Sequence, residues 1–238
     1  MSVGAIWHDV ECGSYRADLA LWEELAGDAD GPVLELGCGT GRVAVHLARR
    51  GFATVGLDSD AELIASLRER SDGLPLTTVV ADAREFTLGE PVGLVIAPTQ
   101  MLQLLPDAAE RLACLRCVAA ALRPGGRFAA AILEGMPEPD GAPPPLPDVR
   151  EVDGWVYSSL AVEAAVAPGE IVVHRLRQTV SPSGELGEEP NAVRIATFPA
   201  AQLEQEATQC GLQAVERREI PATDIHVGST VVVFEKGS

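Results

Sequence analysis

The stretch from Val33 to Gly41, Val-Leu-Glu-Leu-Gly-Cys-Gly-Thr-Gly, constrains the fold more than any other part of the chain. Its short apolar run predicts a buried strand, and the alternate glycines predict a sharp turn whose backbone lies close to a ligand. A helical apolar pattern follows, with Val43 and Leu47 on one face. The first N–H groups of such a helix are free to face the turn, which makes strand, glycine turn and helix a nucleotide-binding unit. The sequence therefore predicts an α/β fold with a ligand site at this turn.

The spacing of the glycines narrows the class of ligand. The dinucleotide fingerprint requires G-x-G-x-x-G, but Arg42 occupies its third glycine position and the glycines run G-x-G-x-G instead. An acidic residue, Glu35, precedes the first glycine by two positions, and a second, Asp58, ends the next apolar run at residues 53–57. A carboxylate at the tip of the second strand is placed to bind both hydroxyls of a ribose.

With this motif the chain resembles the class I S-adenosylmethionine-dependent methyltransferases, and loosely their glycine N-methyltransferase branch. The resemblance implies a seven-stranded, mostly parallel, doubly wound sheet with an antiparallel last strand and helices on both faces. It also implies S-adenosyl-L-methionine as cofactor and S-adenosyl-L-homocysteine as product. It places Glu35 and the glycine loop at the methionyl part, Asp58 at the ribose and Asp82 at the adenine, with Arg16 as the candidate for the methionyl carboxylate. The full set of cofactor-binding residues implied in this way is Arg16, Glu35, Gly37, Cys38, Gly39, Gly41, Asp58, Ser59, Asp82, Ala83, Ala97 and Met101.

An insertion interrupts this predicted core. The core covers residues 1–134 and 199–238, with 1–30 as an N-terminal helical cap, and the insertion covers 135–198. Six prolines between Gly135 and Pro147 exclude a helix or a central strand there. Three β-like runs follow, at about 152–163, 170–180 and 191–198, which predicts a small antiparallel sheet after strand five. Because the insertion leaves the carboxyl edge of the sheet, we expect it to cover the acceptor pocket, with these candidate pocket residues: Trp155, Tyr157, His174 and Arg194.

Three polar residues are candidates for the reaction itself. Ser14 can cap a helix at about 15–26 that carries Tyr15 towards the cofactor. Gln100 follows strand four and would border the transferred methyl group. His226 lies in the connector 221–228 between the last two strands, which should return to the same edge as the pocket. A histidine near its ordinary pKa is the usual base for a hydroxyl acceptor, whereas a neutral amine needs none.

Composition sets limits on the partners. The chain has 18 basic and 35 acidic residues and a net charge of −17, which disfavours nucleic acid as a partner. We expect no membrane segment and no signal peptide, a cytoplasmic location, and a monomer or homodimer. The segment after strand four, Pro98-Thr-Gln-Met101, lacks the aspartates that ligate Mg²⁺ in catechol-type enzymes, so no metal is expected.

Metal-free, in-line methyl transfer to nitrogen or oxygen of a small molecule or a peptide natural product is the function that these features favour. Three alternatives stay open. The chain could be an O-methyltransferase with His226 as general base, a methyltransferase-like binding protein without activity, or a nicotinamide oxidoreductase on a related fold, against which the glycine spacing argues.

Overall fold

The computed structural model describes residues 1–136, 146–223 and 226–237. Within this part of the chain the helices are α1 Val3–Cys12, α2 Leu19–Gly27, α3 Arg42–Arg49, α4 Ala61–Arg70, α5 Ala108–Ala121 and α6 Ala200–Thr208, with a short 3-10 helix at Met101–Leu104. The core strands are β1 Val33–Leu36, β2 Thr54–Asp58, β3 Leu76–Val80, β4 Val92–Ala97, β5 Leu122–Ile132, β10 Leu212–Ile220 and β11 Ser229–Lys236. The remaining strands are β6 Asp148–Val152, β7 Trp155–Ala167, β8 Glu170–Val180 and β9 Leu186–Ala196.

The core strands form one seven-stranded sheet in the order β10-β11-β5-β4-β1-β2-β3. Only β11 runs against its neighbours, since it pairs antiparallel with both β5 and β10. β1 and β4 are buried along their whole length, as expected for central parallel strands that are covered on both faces. The prediction of a mostly parallel sheet with an antiparallel last strand is confirmed.

Two apolar cores lie on opposite faces of this sheet. One face packs against α5 and α6 and contains the stacked rings of Phe128 and Phe234, whose centroids are 5.7 Å apart. The other packs against α2 and α3 and contains Trp22 and Leu47. Successive residues of a strand point to opposite faces, so each central strand contributes to both cores.

The second sheet has four antiparallel strands in the order β6-β7-β8-β9, where the sequence predicted three. The missed strand, β6, turns into β7 at Asp153-Gly154, whose φ angles are 50° and 79°. An Asp-Gly pair between apolar runs is a strong hairpin signal, and it was overlooked. The predicted loop at 135–147 lies mostly outside the described residues. We call this sheet of β6 to β9 the lid sheet, because it lies over the cavity that is described below.

The N-terminal region also differs from the prediction. Instead of one helix at 15–26 capped by Ser14, it has α1 and α2, and the Oγ of Ser2 caps α1 by accepting the N–H of Ala5 at 3.2 Å. The side chains of Val3, Ile6, Trp7 and Val10 have the i, i+3, i+4, i+7 spacing of a helix, a signal that was present in the sequence. In the part of the chain that the structure describes, no helix is both long and apolar enough to cross a bilayer.

Gln103 fastens the lid sheet to the core. Its side chain is fully buried, and its Nε2 donates to the carbonyl oxygens of Leu133 at 2.9 Å and of Ala196 at 2.6 Å. Its Oε1 accepts the N–H of Leu133 at 2.6 Å. One side chain thus joins the end of β5 to the end of β9.

We expect Gln103→Leu to lower the free energy of unfolding by about 3 kcal/mol or more. The substitution leaves three buried backbone groups without a hydrogen-bond partner, and each unsatisfied group costs about 1–3 kcal/mol. The measurement is urea denaturation. Gln213→Leu, which changes an exposed glutamine of β10, is the matched control and should stay within about 0.5 kcal/mol of wild type. Equal stability of the two variants would contradict the fastening role.

Candidate active site

A cavity of about 670 Å³ lies at the carboxyl ends of β1 to β4. Gly37 follows β1, Asp58 ends β2, Asp82 follows β3 and Gln100 follows β4, and all four line it. The segment that holds α1 and α2 closes one side and the lid sheet another. A parallel sheet collects the residues that end its strands at one edge, which is why residues distant in sequence meet here.

The glycine turn makes room for a ligand next to the backbone. Gly37 and Gly39 have φ angles of 63° and 53°, which side chains rarely adopt. A Cβ on Gly37 would lie 2.7 Å from the Cγ of Met101 in the cavity wall, and a Cβ on Gly39 would lie 2.1 Å from the Nε2 of His8. Any side chain at either position would therefore displace a cavity residue.

Asp58 is held in a defined orientation at the tip of β2. Its Oδ2 accepts the N–H of Gly39 at 2.8 Å, and its Oδ1 accepts the N–H of Asp60 at 2.9 Å. Each carboxylate oxygen can accept more than one hydrogen bond, so capacity for a diol remains. The same carboxylate thus ties the glycine turn to β2 and lines the cavity.

Glu35 does not line the cavity, in contrast to the contact with the methionyl part that the sequence suggested. It is fully buried and accepts the backbone N–H of Ala44 in the first turn of α3, while its Oε2 has no partner. Burial raises the pKa of this carboxyl to about 8 against the opposing effect of Arg42. Its position supports a structural role that joins β1 to α3.

Of the other predicted cofactor residues, Ser59, Ala83 and Met101 line the cavity, whereas Arg16, Cys38, Gly39, Gly41 and Ala97 are not among its lining residues. Arg16 is exposed, and its guanidinium donates to the carbonyl oxygens of Gly13 and Tyr15. Cys38 packs beneath the turn against Leu67, and burial raises the pKa of its thiol. The Arg16 and Cys38 side chains thus contact the protein itself, and ligand contacts of these residues stay a prediction.

Asp82 lines the cavity but is already engaged. Its Oδ1 accepts both the backbone N–H of Arg84 at 2.8 Å and the Nε of that guanidinium at 2.9 Å. The hydrogen bonds from Arg84 lower the pKa of Asp82 to about 2. Arg84 also pairs with Glu110 at 2.9 Å, so this end of the cavity is bordered by one arginine shared between two carboxylates.

Tyr15, His226 and Gln100 do meet around the cavity. The ring centroids of Tyr15 and His226 are 4.7 Å apart, and the guanidinium of Arg42 lies 5.0 Å from the Tyr15 ring. Burial lowers the pKa of His226, so its imidazole is neutral at neutral pH. The Nε2 of Gln100 donates to the Oγ of Ser229 at 2.8 Å.

Backbone strain is concentrated at this same point. Thr99 and Gln100 are consecutive residues with φ angles of 46° and 59°. A β-branched residue at positive φ is a true outlier, and each such position costs about 1–3 kcal/mol. The surrounding structure therefore holds the backbone of Thr99 and Gln100 in a conformation that these residues rarely adopt, and this fixes where the Gln100 side chain begins.

His8 is a cavity residue that the sequence interpretation missed. Its Nδ1 lies 3.0 Å from the Oγ1 of Thr40, and that hydroxyl donates to Asp9 at 2.6 Å. Because a threonine hydroxyl has one proton, it must accept from His8, which assigns the imidazole proton to Nδ1 and the lone pair to Nε2. Burial lowers the pKa of His8, which favours this neutral form.

The lid sheet presents a different face from the predicted one. Val173, Arg175, Val193 and Ile195 line the cavity, whereas His174 and Arg194 lie one position away in β8 and β9 and point to the other face. Successive side chains of a strand point to opposite faces of the sheet, so a shift of one residue changes which set faces the cavity. The sequence alone did not determine which of the two sets that is. Trp155 is 41% exposed, and Tyr157 packs edge-on against Trp7 at 5.2 Å.

Two carboxylates of α1 join the core to the lid sheet. Asp9 pairs with Arg70 of α4 at 2.6 Å and with Arg150 of β6 at 2.9 Å. Glu11 accepts from Nε and Nη2 of Arg177 at 2.8 and 2.9 Å and lies 3.6 Å from Arg175. We call Asp9 and Glu11 together the α1 clamp.

Comparison with known proteins agrees with this architecture. Residues 33–126 match the family model described as a methyltransferase domain. This stretch, which holds the glycine turn and β1 to β4, is therefore similar to methyltransferase domains, in agreement with the resemblance drawn from the glycine motif.

The curated relatives are each similar to only part of the chain. The cypemycin N-terminal methyltransferase of a Streptomyces species is 31% identical over 111 residues, which is 46% of this chain and 45% of that protein. The 27-O-demethylrifamycin SV methyltransferase of Amycolatopsis mediterranei is 27% identical over 166 residues, 66% of this chain and 60% of that protein. The chain thus matches about half of the length of these two curated relatives.

Solved structures show the same fold over nearly the entire chain. The sugar N-methyltransferase KedS8 from Streptoalloteichus superimposes with a TM-score of 0.77 at 18% identity and covers 100% of this chain and 94% of its own. The CcbJ methyltransferase from Streptomyces caelestis has a TM-score of 0.69 at 24% identity and covers 95% and 92%. At such identities the likeness establishes the fold, including the lid sheet.

Glu35 leads to a pH-dependent prediction. The unfolded carboxyl ionises near pH 4.5, whereas the folded one stays protonated until about pH 8, so the folded state binds more protons between these values. Its contribution to the free energy of unfolding is therefore greatest below pH 4.5 and is lost as the pH rises towards 8.

We expect Glu35→Gln to remove this component, so that its stability relative to wild type increases from pH 5 to pH 8 in urea denaturation. Glu163→Gln, at an exposed position of the lid sheet, loses the same charge and serves as control. A constant difference between Glu35→Gln and wild type across this range would show that Glu35 ionises normally.

Proposed function

We propose that this protein is an S-adenosyl-L-methionine-dependent methyltransferase that transfers a methyl group to nitrogen or oxygen of a small molecule or a peptide natural product. The observation that carries the proposal is the continuity of the cavity: Gly37 and Asp58 line the same space as Tyr15, Gln100 and His226. A nucleoside at the glycine turn and an acceptor at the far end would therefore share one water-shielded chamber.

The residues at the glycine turn fit the cofactor. Gly37 lines the cavity next to Met101, which would meet a Cβ at this position at 2.7 Å. Asp58 offers oriented carboxylate oxygens for a ribose diol, and Ser59, Ala83 and Met101 border the space for the base. When bound, the cofactor supplies a methyl group that is activated by its attachment to a positively charged sulfur.

Methyl transfer from such a donor mainly requires that the acceptor atom, the methyl group and the sulfur are aligned and that water is excluded. Gln100, held by Ser229 and by a strained backbone, is suited to position an acceptor group through its amide. The apolar side chains of Val173, Val193 and Ile195 would exclude water from the lid side. No carboxylate occurs in the segment from Pro98 to Met101, which supports transfer without a metal ion.

A nitrogen acceptor is the first choice because the chamber contains neutral imidazoles and an amine can be methylated without a base. The Nε2 lone pair of His8 and the ring of His226 can accept hydrogen bonds from a neutral amine. The names of the relatives also favour tailoring chemistry, since the cypemycin relative is an N-terminal methyltransferase and KedS8 is a sugar N-methyltransferase. A cytoplasmic location and a monomer or homodimer belong to the same proposal.

A second candidate is an O-methyltransferase with His226 as general base. It is favoured by the place of His226 in the cavity beside Tyr15 and by the lowered pKa that keeps its imidazole neutral. The rifamycin relative is named as a 27-O-demethylrifamycin SV methyltransferase, which is consistent with this alternative. A binding protein without activity would retain cofactor affinity but show no turnover.

We expect Asp58→Ala to weaken binding of S-adenosyl-L-homocysteine tenfold or more, because each hydrogen bond lost to a charged group is worth about 1.5–3 kcal/mol. Isothermal titration calorimetry measures it, with the exposed Asp72→Ala as control. Asp58→Asn retains an acceptor for the Gly39 N–H and so separates ligand binding from support of the turn. An unchanged affinity of Asp58→Ala for S-adenosyl-L-homocysteine would contradict the assignment of Asp58 to the ribose.

His226→Ala distinguishes the two acceptor classes. With amine acceptors we expect it to slow turnover by less than about tenfold, whereas loss of a general base costs about 10²–10⁴-fold with a hydroxyl acceptor. The readout is S-adenosyl-L-homocysteine release with panels of amine and hydroxyl acceptors. His174→Ala, on the other face of the lid sheet, should behave like wild type.

A further inference from the structure

A second pocket, of about 320 Å³, lies where α1, α3 and α4 meet the lid strand β6. Five arginines line it: Arg16, Arg42, Arg49, Arg70 and Arg150. Asp9 is the single carboxylate among its described lining residues. The whole chain has 35 acidic residues and only 18 basic ones, so composition does not explain this reversal of charge.

The carboxylates at hand do not neutralise these five guanidinium groups. Asp9 is shared between Arg70 and Arg150, and Asp18 holds Arg42 at 2.6 Å. Arg16 donates to backbone carbonyl oxygens, and neither Arg16 nor Arg49 has an ion pair within the described part of the chain. Glu23 contacts the lining residue His46 at 3.0 Å, so about two positive charges remain around one concave space.

Guanidinium groups are suited to one kind of partner at such a place. Their planar N–H forks bind the oxygens of phosphate or carboxylate groups in pairs, and charge-assisted bonds of this kind are the strong ones. Like charges that line one pocket repel one another, and a multivalent anion relieves that repulsion. A phosphate dianion matches an excess of about two positive charges better than a single carboxylate does.

We propose that this pocket is a phosphate-binding site, for inorganic phosphate or for the phosphate monoester of a metabolite. Arg49 belongs to the core, Arg150 to the lid sheet and Arg16 to the segment after α1, so the pocket borders all three parts. Asp9 in this pocket bonds to Thr40, which bonds to His8 in the main cavity. The site is separate from the proposed methyl-transfer chamber and goes beyond that function.

The test measures binding of phosphate to the full chain, by calorimetry and by thermal unfolding, with sodium chloride at matched ionic strength as the reference. We expect saturable binding of inorganic phosphate and a rise in Tm that follows it. Arg49→Glu should weaken phosphate binding about tenfold or more. Arg116→Glu makes the same charge change at an exposed position of α5 outside the pocket and should keep the wild-type affinity.

Further measurements distinguish inorganic phosphate from a phosphate monoester and serve as controls. Glycerol phosphate that binds at least as tightly as inorganic phosphate would assign the site to a monoester, and weaker binding would assign it to the free ion. Equal losses in Arg49→Glu and Arg116→Glu, acetate as effective as phosphate, or no saturation beyond chloride would each overturn the proposal. Circular dichroism verifies that Arg49→Glu folds. Its unchanged affinity for S-adenosyl-L-homocysteine would separate this result from the Asp58 test.

Discussion

The close approach of backbone at the turn between β1 and α3 is the constraint on which the rest of the structure depends. The turn is surrounded by Met101, His8 and Leu67, each of which would collide with a Cβ on the nearest glycine. The carboxylate of Asp58 holds the turn from the neighbouring strand through the N–H of Gly39. Gly37 lines the cavity, and the Met101 side chain packs so close to it that no other residue fits at this position.

The α1 clamp is the second organising feature, and its energetics differ from those of a surface ion pair. Burial alone would raise the pKa values of Asp9 and Glu11, yet the hydrogen bonds and charges of the arginines around them lower both. A buried pair of this kind adds little net stability compared with apolar packing, but removal of one partner leaves an uncompensated charge. The clamp is therefore better understood as a device that sets where α1 and the lid sheet lie than as a source of stability.

The cavity and the second pocket lie on the two sides of α1. His8 faces the cavity, whereas Asp9, its neighbour in sequence, faces the arginines, and Thr40 of the glycine turn bonds to both. A helix separates successive side chains by about 100°, so adjacent residues can serve different spaces. The cavity and the second pocket are thus linked through the hydroxyl of Thr40.

Local patterns in the sequence determined the crossover unit, the parallel sheet with its antiparallel last strand, the place of Asp58, and the presence of an antiparallel insertion. Each of these follows from short-range periodicity and from glycine chemistry, which act within a few residues. Only the tertiary structure decided that Glu35 is buried, that Arg16 lies outside the cavity, and that Val173 and Val193 rather than His174 and Arg194 line it. The faces of a strand depend on what packs against it, and the ionisation of a buried carboxyl depends on neighbours brought from distant parts of the chain. Those contacts are properties of the assembled molecule, so no local pattern could have contained them.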